Sequence, residues 1–215
     1  MTRNWIIRMV ALKMDEISSS DEVYTAVDIS DNNPLYTQIN CLLDESINEV
    51  LLKAPIYRIQ DHVSKATTSV TVLDIFGGAR KKALITMPDD FVRFVSITDD
   101  CFHRPITDLA IEGDEVDKKQ HNKHIVAKKA KPVAVVSNTE NGRIVHCYSY
   151  DASDTPNPIM LYVKRYESED MLSEINLDQY IINIVTWVCA GKVFSIQGDF
   201  AKSKACDENA TALMA

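Results

Sequence analysis

His121 and His124, three residues apart in Gln120-His121-Asn122-Lys123-His124, would share one face of a helix and offer two imidazoles to a metal ion. No Glu follows the first histidine and no third ligand stands at a matching interval, so the pair reads as a polar loop or helix edge. Cys101 and His103 carry the side chains of an activated thiolate. On a strand, however, a Cys-x-His pair sends both side chains to one face without aiming either at the other. Gly77-Gly78-Ala79-Arg80-Lys81-Lys82 has the glycines and cations of a phosphate cradle but lacks the Gly-Lys-Ser/Thr ending and the helix start that would hold the anion. A β-turn with exposed cations is the simpler reading. Asp89-Asp90 and Asp99-Asp100 stand where turns and caps favour aspartate. With neither a Gly-x-Ser-x-Gly nor a dinucleotide fingerprint, the residues argue for no enzyme, no metal and no cofactor.

Cys41, Cys101, Cys147, Cys189 and Cys206 are widely spaced, odd in number and never form Cys-x-x-Cys, which disfavours a zinc knuckle or a disulfide framework and points to a reducing compartment. The 215 residues are 46% hydrophobic and 25% charged, enough for a core without staples. The net charge is −8, and a chain that grips duplex DNA through its phosphates is normally basic. The start is interrupted by Arg8, Lys13 and Asp15, unlike a signal-peptide core, and no run approaches the roughly 18 apolar residues of a spanning helix. A soluble cytoplasmic protein is expected, with no membrane partner.

One stretch departs from the acidic balance. Residues 118–131 hold Lys118, Lys119, Lys123, Lys128, Lys129 and Lys131 and no acid, leaving 17 cations against 31 acids elsewhere. It is either a solvated face or an exposed docking segment for an acidic partner or nucleic acid.

The elements that must position these residues follow from periodicity. From Pro34 to about Lys53, Leu35, Ile39, Leu42, Leu43, Ile47, Val50 and Leu51 recur at helical spacing, with Asn33 as a cap, Pro34 at the first position and Pro55 ending the run. The opposite face, with Asp44, Glu45, Asn48 and Glu49, reads as acidic and solvated. From Thr67 to Tyr166 the period falls to two: 70–73 and 83–87 flank Gly77-Gly78, 91–97 follows Pro88, 133–137 and 143–150 flank Asn141-Gly142, and 159–166 adds a last strand. This block is expected to be antiparallel. Helix returns after Asn176 with Leu177, Tyr180, Ile181, Ile184, Val185 and Val188, while Ile182 and Trp187 make further faces apolar; Gly198 closes it and Asp199 caps a last helix from Phe200. The predicted class is α+β. The expected layout is an N-terminal arm and short helix over 1–33, a helical bundle from 34–66 and 167–215, and an antiparallel β insertion over 67–166. Ile182 and Trp187 are surplus to one stripe and are assigned to a subunit interface.

Ile85-Thr86-Met87-Pro88-Asp89-Asp90-Phe91-Val92-Arg93-Phe94-Val95-Ser96, followed by Arg104-Pro105-Ile106, resembles a pattern in head-to-tail connector proteins of tailed bacteriophages. The resemblance extends to Leu42–Val50 and to the Gly-x-x-Ala at Gly198–Ala201, and is strongest to the adaptor or ring proteins of short-tailed, crAss-like phages. It implies a structural virion protein at the head–tail junction, made in the host cytoplasm: a helical bundle with a β insertion, of which roughly twelve copies form a ring beneath the portal protein, against other tail proteins. Genomic DNA would pass through its channel without sequence-specific binding. The six lysines would be its partner-docking residues. A binding or scaffold module of another bacterial assembly, or a small hydrolase using Cys101, His103 or the His121/His124 pair, are the rival expectations.

Overall fold

The computed structural model describes residues 1–17, 34–66, 70–140, 142–167 and 175–214. Within them the helices are α1 (Arg3–Ile17), α2 (Pro34–Lys53), α3 (Glu115–Gln120), α4 (Gln179–Gln197) and α5 (Phe200–Met214). The strands are β1 (Val63–Lys65), β2 (Thr71–Ile75), β3 (Arg80–Thr86), β4 (Phe91–Thr98), β5 (Leu109–Ile111), β6 (Ala134–Thr139), β7 (Gly142–Asp151) and β8 (Ile159–Lys164). The chain is therefore α+β, and it divides into a helical unit, Met1–Asp61 with Arg165–Ala215, and a β unit, His62–Lys164. The predicted Asn33 cap and residues 18–33 of the N-terminal arm lie outside the described residues.

In the helical unit, α4 packs against α1, α2 and α5. Ile39, Leu43, Ile47 and Val50 of α2 and Ile181, Ile184 and Val185 of α4 are fully buried. Asp178 caps α4 by accepting from the Tyr180 amide, and Gly198 ends it at φ 82°, in the left-handed region that glycine enters without a Cβ penalty. Gly191 has a different task. A Cβ there would meet the Asp207 carboxylate at 3.1 Å and the Cys206 Cβ at 3.2 Å, so hydrogen at this position sets how closely α5 approaches.

Three expectations are corrected here. Ile182 and Trp187 are buried inside the chain, at 1% and 8% exposure, so neither presents a surface for another subunit. The reason is that α4 is packed by α1, α2 and α5 together; α1 contributes a fully buried stripe of Ile6, Ile7, Val10, Ala11 and Met14, and its Lys13 ammonium lies 4.7 Å from the Trp187 ring centre. α4, at mean hydropathy 1.3, is also long and apolar enough to cross a membrane by length and composition, and 67% of that window is buried in this protein. Nor is the polar face of α2 free in solvent. Arg3, 5% exposed, pairs with Asp44 and bonds Asn40, Lys192 bridges Glu45 and Glu49, and Asn48 exchanges two hydrogen bonds with the Tyr166 backbone.

The β unit holds two sheets, ordered β1-β8-β4 and β2-β3-β7-β6-β5. Ala83, Ile85, Val145, Cys147 and Tyr150 from the larger sheet share one core with Ile97 and Met160 from the smaller. The resemblance motif is the passage between them: the Met87 amide donates to the Arg143 carbonyl where the β3–β7 ladder ends in one sheet, the Phe91 amide closes a turn on Pro88, and Phe91 stacks on Tyr162 in the other. Asp90 accepts from the Tyr162 hydroxyl. The block is not wholly antiparallel, because β5 pairs with β6 in parallel. The intervening residues 112–133, with α3, provide the crossover that parallel neighbours require.

Strand β7 carries one irregularity. The register shifts by one residue between Lys81 and Ala83 of β3, and Ser149 sits at φ 97°. This bulge changes the side-chain parity, so Tyr150 enters the same core as Cys147 instead of the opposite face.

Candidate functional site

On the other face of the larger sheet, Val126, Val135 and Tyr148 form a small second cluster beneath the segment that follows α3. Gln120 pins that segment: its side chain donates to the Val116 carbonyl and accepts from the Ala127 amide. Between α3 and residues 124–133 opens a cleft of about 470 Å³ with an aliphatic floor, including Val116, Val126 and Val133. Lys119, Lys128 and Lys131 line it, and no carboxylate does. A neighbouring cleft of about 650 Å³, which shares Val116 and Lys131, is mixed in charge, with Arg104, Asp108 and Asp114 in its lining.

The structure separates the six predicted docking lysines. Lys129 turns inward: its ammonium lies 2.7 Å from Asp154 and 3.3 Å from Asp151, which raises its pKa, while the same ion pair helps lower that of Asp154. Arg80 completes the cluster on Asp151 at 2.9 Å, and Lys81 donates to the Asp154 carbonyl. Lys129 therefore ties together loops distant in sequence. Lys119 makes an exposed i,i+4 pair with Glu115 at 2.8 Å. Among the described residues, Lys118, Lys123, Lys128 and Lys131 are exposed and have no carboxylate partner.

The candidate catalytic residues are not brought together. Cys101 and His103 share no hydrogen bond; the Cys101 amide bonds Asp99 and the His103 amide bonds the Lys129 carbonyl. Burial, with the Asp99 carboxylate beside it, pushes the Cys101 thiol up to about 11, the opposite of an activated thiolate. Asp99 is occupied structurally, accepting from the Tyr150 hydroxyl at 3.0 Å and the Asn157 amide at 2.8 Å. His121 lies 3.4 Å from Asp117 and is exposed, as is His124. Among the described residues, no three His, Cys, Asp or Glu side chains gather closely enough to hold a metal ion. Gly77 and Gly78 follow Phe76 through three successive left-handed residues and lead into β3, not into a helix.

One pairing escaped the sequence reading. Ser137 Oγ and His146 Nε2 lie 2.7 Å apart on the α3 side of the sheet. Burial, with Lys82 nearby, lowers the His146 pKa and favours the neutral ring. The arrangement stops short of a triad, since His146 Nδ1 is buried without a partner and neither cleft is lined by either residue. No local signal marks the pair, because the two residues lie on separate strands. No family model matches the chain, and no curated protein matches it.

Proposed function

We propose that this protein is a structural subunit of a phage head-to-tail connector. The observation that carries the reading is the resemblance motif itself, Ile85–Ser96, whose Pro-Asp-Asp-Phe forms the corner between two sheets of the β unit. In support, both ends of the chain belong to one helical unit and the β unit is inserted between them, the order that the resemblance implies. An acidic chain also suits a channel wall, because carboxylates do not hold a phosphate backbone. The ring of roughly twelve copies no longer draws on a surplus face of α4; head-to-tail contacts between copies close it by rotation.

Immunogold labelling of tailed-phage particles with an antibody to this chain, combined with native mass spectrometry of the particle's neck, tests the proposal. A closed cyclic copy number at the head–tail vertex is expected. Label absent from particles, or found only as a monomer or two-fold dimer away from the axis, overturns it.

A further inference from the structure

The cleft beside α3 joins three properties that are seldom found together on a bare surface. Its floor is aliphatic, with Val116 and Ile125 41% and 56% exposed although both belong to an ordered, pinned segment. Lys128 and Lys131 stand at its rim without carboxylate partners, Lys119 beside them is held only by an exposed pair, and the lining contains no acid. At about 470 Å³ the space is suited to a few side chains and small for a folded element.

We infer that this cleft is a docking site for an acidic peptide segment of a partner protein, anchored by aliphatic side chains on the floor and by carboxylates on Lys128 and Lys131. Charge complementarity selects the occupant. Lys128 and Lys131 have no carboxylate partner among the described residues, so a basic or neutral segment would leave them uncompensated. The floor selects between anions: it has no Phe, Tyr or Trp, and the exposed His124 at the cleft is the one ring in its lining on which a base could stack, so single-stranded nucleic acid would gain little beyond phosphate contacts. An acidic peptide with leucine or valine anchors uses both parts of the site. This inference does not rest on the connector reading, which the particle labelling tests separately.

The test is fluorescence anisotropy with the full chain and a short labelled peptide alternating glutamate and leucine. Comparison probes replace the leucines with serine, or the glutamates with lysine, and a fourth is an oligothymidylate. Binding of the glutamate–leucine peptide alone is expected, weakening with salt because the Debye length shortens from roughly 10 Å at 0.1 M to 3 Å at 1 M. Lys128→Glu with Lys131→Glu, and separately Val116→Ser with Ile125→Ser, should each weaken it by about ten-fold or more. All four positions are exposed, and an unchanged circular dichroism spectrum verifies that the fold is intact. No binding, equal binding of the glutamate–serine peptide or the oligothymidylate, or binding that survives either pair of substitutions overturns the inference.

Discussion

Ser137 Oγ and His146 Nε2 meet at 2.7 Å across β6 and β7, with the serine 7% exposed and the histidine's Nδ1 sealed away from any partner. Protonating this ring in the folded state would place a charge where burial and Lys82 both oppose it. The unfolded chain takes up that proton near pH ~6.5, while the folded chain takes it up only at lower pH. Stability from the neutral ring is therefore complete above that value and is lost as pH falls from it toward the folded pKa. Thermal unfolding followed from about pH 8 to about pH 5 should show a falling Tm over this window that His146→Gln reduces. An identical profile in the variant would place the acid sensitivity elsewhere.

Asp99 is the hub of the β unit's polar network, accepting from the Tyr150 hydroxyl, the Asn157 amide and the Cys101 amide. Asp99→Ala would leave the fully buried Tyr150 with an unmade hydrogen bond, at a cost of about 1–3 kcal/mol for that group alone. It should also lower the Cys101 pKa, since the carboxylate is one cause of its rise. Urea unfolding measures the first effect. Faster alkylation of Cys101 near pH 8, read by mass spectrometry under folding conditions, measures the second.

Lys129 and Lys131 are two residues apart and should behave differently. Lys129→Gln removes the cation that joins Asp154 and Asp151, so its Tm should fall. Lys131→Gln, at an exposed side chain without a carboxylate partner, should leave Tm unchanged. Calorimetry on the two variants decides whether the basic segment has one role or two.

In the helical unit, Ile47→Ala or Ile184→Ala should cost about 2–5 kcal/mol, because both side chains are fully buried on packed helices. Gly191→Leu should destabilise by another route, since the added side chain starts 3.1–3.2 Å from Asp207 and Cys206 and must push α5 outward. Chemical denaturation measures both. A Gly191→Leu protein as stable as the parent would show that α5 is free to shift.

Removing α1 should uncover the face of α4 that carries Trp187. Loss of the Lys13–Trp187 contact and of the Ile6, Ile7, Val10 and Met14 stripe should shift Trp187 emission to longer wavelength and promote self-association. Fluorescence of a Trp5→Phe background isolates this signal, and light scattering reads the association.

Several features of this chain are local and therefore legible along it. The α2 stripe of Ile39, Leu43, Ile47 and Val50, the Gly198 stop of α4, the Asp199 cap of α5 and the turns at Gly77-Gly78 and Gly142 all depend on neighbours within a few residues. The rest depends on where distant segments return. Only packing shows that α1 lies on α4 with Lys13 over Trp187, that Arg3 and Lys192 neutralise the acidic face of α2, or that Lys129 meets carboxylates some 25 residues away. The parallel β5–β6 pair, the bulge that turns Tyr150 inward and the Ser137–His146 contact likewise arise between strands, and the cleft beside α3 exists because Gln120 ties a loop onto its helix. Backbone preference and hydrophobic period are properties of contiguous residues. Charge pairing, register and concavity are properties of surfaces that form when the chain folds back on itself.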